Sequence, residues 1–173
     1  EAWRWPWFWV VVACSLSFNP NNYPSKDFLV KINDSKKLTD KKRQEIYSEL
    51  IKMSIWENPQ IFFGVWVVDN YMIDEINIKQ ANREAMRRSL VEILRKIPKD
   101  EISGVLVDWN DNYRFDELSK KPLYIVWWDA KVLEIWAASI IAKVFRDKLC
   151  LTYAELYPDL SLENHKWYWT KKH

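Results

Sequence analysis

The sequence of 173 residues has almost no glycine. Only Gly64 and Gly104 occur, where an ordinary domain of this length holds about a dozen. Tryptophan, by contrast, reaches 12, and the two departures read as one fact seen twice. Histidine and cysteine are each present only twice, and Cys14 and Cys150 lie far apart with no CxxC spacing. That pattern argues against a zinc site and a disulfide framework and suits a reducing, cytoplasmic setting. Long hydrophobic runs are also missing. The apolar opening from Trp5 to Phe18 is too short to span a bilayer, so no membrane partner is expected. A Trp-rich membrane-active segment at the amino terminus is the weakest alternative. The chain begins at Glu1 without an initiating Met, as a sequence starting inside its protein would.

Neither sign of charge dominates. There are 26 basic and 24 acidic residues, a net charge of +2 and a pI near 8.5, a balance that permits nucleic-acid binding without demanding it. With 49% hydrophobic residues, the length suffices for one sizeable core, read as a single monomeric domain over 1–173.

Apolar periodicity places the elements. The run from Trp7 to Cys14 reads as a buried strand, and Asn19 to Ser25, rich in Asn and Pro, reads as a loop. Ile46, Tyr47, Leu50 and Ile51 recur at helical spacing, with Thr39 or Asp40 placed to cap a helix over about 40–53. Ile61 to Val68 is a second buried strand. A long helix follows, marked by Ile78, Ala81, Ala85, Ile93, Leu94 and Ile97 and stopped by Pro98. Short strands are expected at Val105–Val107, ending at Asp108, and at Leu123–Val126, ending near Asp129. Val132, Ile135, Ala142, Phe145 and Leu149 outline a last helix that cannot pass Pro158. Such alternation predicts an α/β architecture with part of the sheet parallel.

Carboxylates that close strands are the first candidates for chemistry, because ligands gather at the carboxyl ends of strands in open α/β sheets. Asp108 and Asp129 hold such positions, and Glu1, just before the first apolar run, is a third. Converging carboxylates repel unless cations lie between them, and hard oxygen donors suit Mg²⁺ or Mn²⁺. Two such ions can activate a water and stabilise the leaving oxygen in phosphodiester hydrolysis, with no Ser, Cys or His nucleophile. Taken singly, an Asp at a strand end is more often a turn or cap residue. Arg4, Lys36, Lys37, Lys166, Lys171 and Lys172 are candidate phosphate contacts, although lysines on loops are commonly just solvated.

Eight segments, in order along the chain, carry a family resemblance. Glu1-Ala2-Trp3-Arg4-Trp5-Pro6 resembles D-E-A-G-R-G-P without its aspartate, Asn33–Leu38 matches N-D-S-K-K-L, and Ile73–Ile78 matches I-D-E-I-N-I. Ala85-Met86-Arg87-Arg88 matches as well, Val107–Asn110 resembles V-D-G-N, and Trp128–Lys131 resembles G-D-A-K. Ala137–Asp147 resembles A-A-S-I-x-A-K-V-x-R-D, and His165–Lys171 resembles H-K-G-Y-G-T-K. The chain thus resembles ribonuclease HII. That resemblance implies a ribonuclease H-like fold, with a central mixed sheet flanked by helices, from which the first strand and the C-terminal tail are missing.

The resemblance further implies that Glu1, Asp108 and Asp129, with the absent aspartate, are catalytic and metal-binding in a two-metal site for Mg²⁺ or Mn²⁺. Its substrates would be RNA-DNA hybrids and duplex DNA holding embedded ribonucleotides, cut on the 5′ side of the ribonucleotide to leave a 3′-hydroxyl and a 5′-phosphate. Trp3, Arg4 and Trp5 fall on the loop that approaches the ribose 2′-hydroxyl, Tyr168 on the tyrosine that stacks at an RNA-DNA junction, and Lys36 on a substrate contact. Ser139, Lys143, Arg146 and Asp147 match on a helix, where they would position the acidic site.

At least eight of the twelve tryptophans, at 3, 5, 9, 66, 109, 128, 167 and 169, occupy family glycine positions. Read literally, an indole there blocks positive φ and close backbone approach. A catalytically inactive nucleic-acid-binding fragment is therefore the alternative function. The consistency of the replacement points instead to UGA codons for glycine translated as tryptophan, with deliberate engineering next and natural divergence last.

Overall fold

The structure, a computed structural model, describes residues 10–55, 57–109, 113–118, 121–124 and 132–158. In chain order these form β1 (Val11–Phe18), α1 (Lys26–Leu29), α2 (Asp40–Ile55), β2 (Ile61–Val68), α3 (Asn70–Leu94), β3 (Leu106–Val107), β4 (Leu123–Tyr124) and α4 (Leu133–Leu156), with a 3₁₀ turn at Lys99–Glu101. The fold is α/β, as the alternating pattern predicts. β1 pairs antiparallel with β2 from Val11↔Val68 to Phe18↔Ile61. β3 pairs parallel with β4 at Leu106↔Leu123 and Val107↔Tyr124. Antiparallel and parallel pairing therefore coexist, in two two-stranded ladders among the described residues.

The period of two in the β1–β2 ladder sends alternate residues to opposite helical layers. Phe18 and Ile61, with Cys14, Leu16, Phe63 and Val65 beside them, pack against Ile46 and Leu50 of α2 and Ala137, Ile140, Ile141 and Val144 of α4. On the other face, Val11, Ala13, Trp66 and Val68 meet Ala81 and Ala85 of α3. A further cluster joins Leu90 and Ile93 at the end of α3 to Ile97, Val107 and Phe115. That cluster seats β3 beneath α3.

Local chemistry sets the boundaries. Thr39, not Asp40, caps α2, its Oγ1 accepting from the Lys42 amide at 3.3 Å. Asp69 caps α3 through the Met72 amide at 3.0 Å. The helix expected from Ile78 begins at Asn70, but Asn77 breaks it with φ 63 and ψ 162. The Asn77 side chain accepts from the amides of Lys79 at 3.0 Å and Gln80 at 3.2 Å, so it caps the second segment that the apolar spacing detects.

One boundary differs from expectation, and two elements differ in detail. β1 extends beyond Cys14 to Phe18, because Ser15 and Ser17 alternate with Leu16 and Phe18 in a half-buried ladder where a continuous apolar run is not required. The 61–68 strand falls where predicted, but only part of it is fully buried. The Asn19–Ser25 loop ends in a cap, Ser25 Oγ accepting from Phe28 N at 3.3 Å to start the one-turn α1. Of the strand expected at Leu123–Val126, the last two residues lie outside the described set, as do Trp7, Trp9 and the tail from Asn164. No helix among the described residues is long and apolar enough to cross a membrane.

Candidate functional site

Between the α3 layer and the α4 layer lies a cleft of about 790 Å³. Its sides are the edge of β1 that faces away from β2 and the segment Ile102–Asp108 that forms β3. Asn82, Met86 and Ser89 of α3 line one face, and Glu134, Ala138 and Ser139 of α4 line the other. No strand among the described residues lies between β1 and β3.

Asp108 stands at the rim of this cleft. β3 ends at Val107, which is 9% exposed and anchored in the cluster under α3, so the next residue leaves the sheet at its carboxyl end. The Asp108 carboxylate is exposed and makes no hydrogen bond or ion pair with any described residue. A carboxylate so placed has oxygen donors available for a hard cation. Among the described residues no group of three or more His, Cys, Asp or Glu converges to hold a metal. Glu1 and Asp129, the expected companions, lie outside the described residues, as do Trp3, Arg4, Trp5 and Tyr168.

Lys36 is exposed on the turn between α1 and α2 and does not line the cleft. The turn is nonetheless tied to it. Ser35, only 5% exposed, shares a 2.9 Å hydroxyl-hydroxyl hydrogen bond with Ser139 of α4, and Ser139 borders the cleft. Asp34 shapes the turn locally, its Oδ1 accepting from Lys36 N at 3.0 Å and its carbonyl from Lys37 N at 2.9 Å. About two turns of α4 further on, the buried Asp147 accepts from Lys143 at 2.5 Å, an i,i+4 pair that neutralises a carboxylate inside the fold.

Beyond Asp108, residues 113–118 are pinned to α3. Arg87 donates to Glu84 at 2.7 and 2.8 Å and to Glu117 at 2.6 Å, while Arg83 lies 4.9 Å from the centre of the Tyr113 ring. Hydrogen bonding to Arg87 and Arg88 holds the Glu84 carboxyl down to about 2 against the opposing effect of burial, and hydrogen bonding to Glu84 and Glu117 raises the Arg87 guanidinium. Cys14 and Cys150 are both free thiols, and burial pushes the Cys14 thiol far above its ordinary value, so it is held protonated and unreactive.

Reasoning from sequence missed Arg43 and the Ser35–Ser139 bond. A signal for Arg43 exists: it precedes Ile46, Tyr47 and Leu50 by three, four and seven residues, which places a cation on the buried stripe of α2. The serine pair joins residues 104 apart, a distance that local patterning does not bridge.

The ribonuclease HII family model matches residues 10–173. The chain is 46% identical to ribonuclease HII of Fusobacterium nucleatum over 145 residues, which is 84% of the chain and 63% of that relative. It is 38% identical to the enzyme of the same name from Caldanaerobacter subterraneus, over 95% of the chain and 60% of the relative. For ribonuclease HII of Endomicrobium trichonymphae the figures are 42%, 87% and 65%. The chain thus spans between 60% and 65% of the length of these three curated relatives.

Proposed function

The chain belongs to the ribonuclease HII family, and on that footing we propose that it is the catalytic domain of an endonuclease. Its substrates are RNA-DNA hybrids, whose RNA strand it hydrolyses, and duplex DNA, which it nicks 5′ of embedded ribonucleotides. The observation that supports this best is Asp108, an exposed carboxylate at the carboxyl end of β3 on the rim of a cleft between two helical layers.

Asp108, with Glu1 and Asp129 from their matching motifs, would hold Mg²⁺ or Mn²⁺. When bound, such cations lower the pKa of water and offset charge on the leaving oxygen. Water adds to the phosphorus, the bond from phosphorus to the 3′-oxygen of the preceding nucleotide breaks, and a proton passes to that oxygen. The products are a 3′-hydroxyl and a 5′-phosphate. Trp3, Arg4 and Trp5 lie on the matching ribose-facing loop, Tyr168 on the matching stacking position, and Lys36 makes a phosphate contact that positions the duplex without reading its sequence. The protein works as a cytoplasmic monomer, a setting that its two free thiols suit. Residues 1–173 form one ribonuclease H-like domain.

Incubation with a DNA duplex carrying one ribonucleotide tests this reading. Nicking that requires Mg²⁺ or Mn²⁺, leaves a 5′-phosphate and vanishes in Asp108→Asn is the expected result. Binding without cleavage at any metal concentration would identify a catalytically inactive nucleic-acid-binding fragment instead.

A further inference from the structure

We propose that Arg43 is a positioning residue for substrate binding, because its guanidinium closes the turn that presents Lys36 to the nucleic-acid backbone. The inference rests on the function proposed above. Arg43 is 8% exposed and occupies a position on α2 where helical spacing otherwise places Ile46 and Leu50 in the core. Its Nη1 donates to two carbonyls, Ser35 O and Leu38 O, the second at 3.0 Å. Its Nη2 donates to Asp40 Oδ1. One planar cation therefore holds both ends of the segment 35–38, and the two residues between those ends, Lys36 and Lys37, are the exposed ones.

Burying a charge is costly unless it is paired and hydrogen-bonded. An apolar side chain on this stripe would fill the space without that cost. What Arg43 supplies is geometry: one arm of a planar fork, Nη1, meets both carbonyls while the other, Nη2, meets Asp40, a spread of three partners that the single ammonium of lysine cannot span in the same plane. The Ser35–Ser139 bond registers the same turn against α4, and α4 borders the cleft that holds Asp108. The turn is thus fixed both in its own shape and relative to the cleft. Ordering loose side chains at an interface weakens association, so a turn that is shaped in advance delivers its cation with less loss.

The experiment measures binding of an RNA-DNA hybrid across a salt series, with KM and kcat alongside, for the wild type, Arg43→Met, Arg43→Lys, Lys36→Ala and the Arg43→Met/Lys36→Ala pair. Far-UV circular dichroism and melting curves report folding. Arg43→Met is expected to weaken binding several-fold, raise KM with kcat little changed, and flatten the salt dependence by about one phosphate contact, a slope change of about 0.9. The double variant should bind no more weakly than Lys36→Ala, since both changes remove one contact. If Arg43→Met does not fold, Arg43→Lys carries the test, and full retention of affinity and salt slope by the lysine overturns the proposal. So does a folded Arg43→Met with an unchanged salt slope, or strictly additive losses in the pair. Failure of the wild type to bind the hybrid refutes the functional reading itself, whereas a loss in Lys36→Ala with none in Arg43→Met refutes only the role of Arg43.

Discussion

The two faces of the β1–β2 ladder are covered in different ways. Toward α2 and α4 the ladder presents Leu16, Phe18, Ile61, Phe63 and Val65 against Leu50, Ile140 and Ile141, and volume fills the space. Toward α3 it presents Ala13, Ser15 and Gly64 against Ala81, Ala85 and Ser89, with Ser15 and Ser89 joined at 2.9 Å. A Cβ built on Gly64 would stand 2.3 Å from the Ser89 carbonyl oxygen and 2.7 Å from the Glu92 Cβ. One face depends on bulk; the other, although Val11, Trp66 and Val68 pack at its end, depends at Ser15 and Gly64 on its absence. Opposite kinds of substitution should therefore damage them.

The largest effect is expected on the bulky face. Leu50 and Ile140 are fully buried, and truncating either to alanine should cost about 2–5 kcal/mol through lost burial and a residual cavity, read from denaturant midpoints. On the α3 face the damaging change is enlargement. Gly64→Ala should cost up to about 3 kcal/mol, because the atom it meets is helix backbone and α3 must move as a body. A Gly64→Ala protein as stable as the wild type would erase the contrast between the faces.

Much of this was legible beforehand, for reasons that differ by element. β2 falls on the predicted 61–68 because hydrophobic and β-branched residues, interrupted only by Gly64, run between turn residues, and α2 because Ile46 and Leu50 repeat at helical spacing above a Thr cap. The abrupt close of Val105–Val107 puts Asp108 at a strand end, where β3 does end. The extension of β1 to Phe18 is hidden because Ser15 faces Ser89 of the close-packed α3, where a small polar side chain suits as well as an apolar one. Gly64 was visible as a residue, but the need for it arises only from the approach of α3, which no local pattern encodes.

A smaller effect should separate the ends of the α3 face by pH. The Glu84 carboxyl, lowered from 4.5 to about 2 chiefly by its hydrogen bond to Arg87, binds its proton more readily in the unfolded chain. Its contribution, on the order of 1–2 kcal/mol once solvent screening is allowed for, is present above about pH 4.5 and lost as pH falls through about 2. Glu84→Gln should lower stability at neutral pH and flatten its fall between those limits in acid titrations followed by circular dichroism. An unchanged acid limb would show that the pairing of Glu84 with Arg87 and Arg88 contributes little.

The smallest effect is expected two residues from Gly64. Trp66 lies on the same face of β2 and pairs with Ala13, yet it is only partly buried and its ring lies 5.1 Å from the Arg88 guanidinium. The indole sits in the α3 cluster without being fully enclosed there. Trp66→Gly should therefore cost about 1 kcal/mol, roughly the cation–π contact and a fraction of the burial, where truncating an enclosed aromatic costs about 3–5 kcal/mol. A loss in that higher range would make Trp66 a true core residue and the α3 face less dependent on small side chains. A near-neutral result, together with a UGA codon at position 66, would instead extend the small-residue seam from Ser15 and Gly64 through position 66. The literal tryptophan would then be a product of decoding, tolerated because its ring can leave the seam beside Arg88. A UGG codon there would sink the decoding explanation while leaving the packing prediction in force.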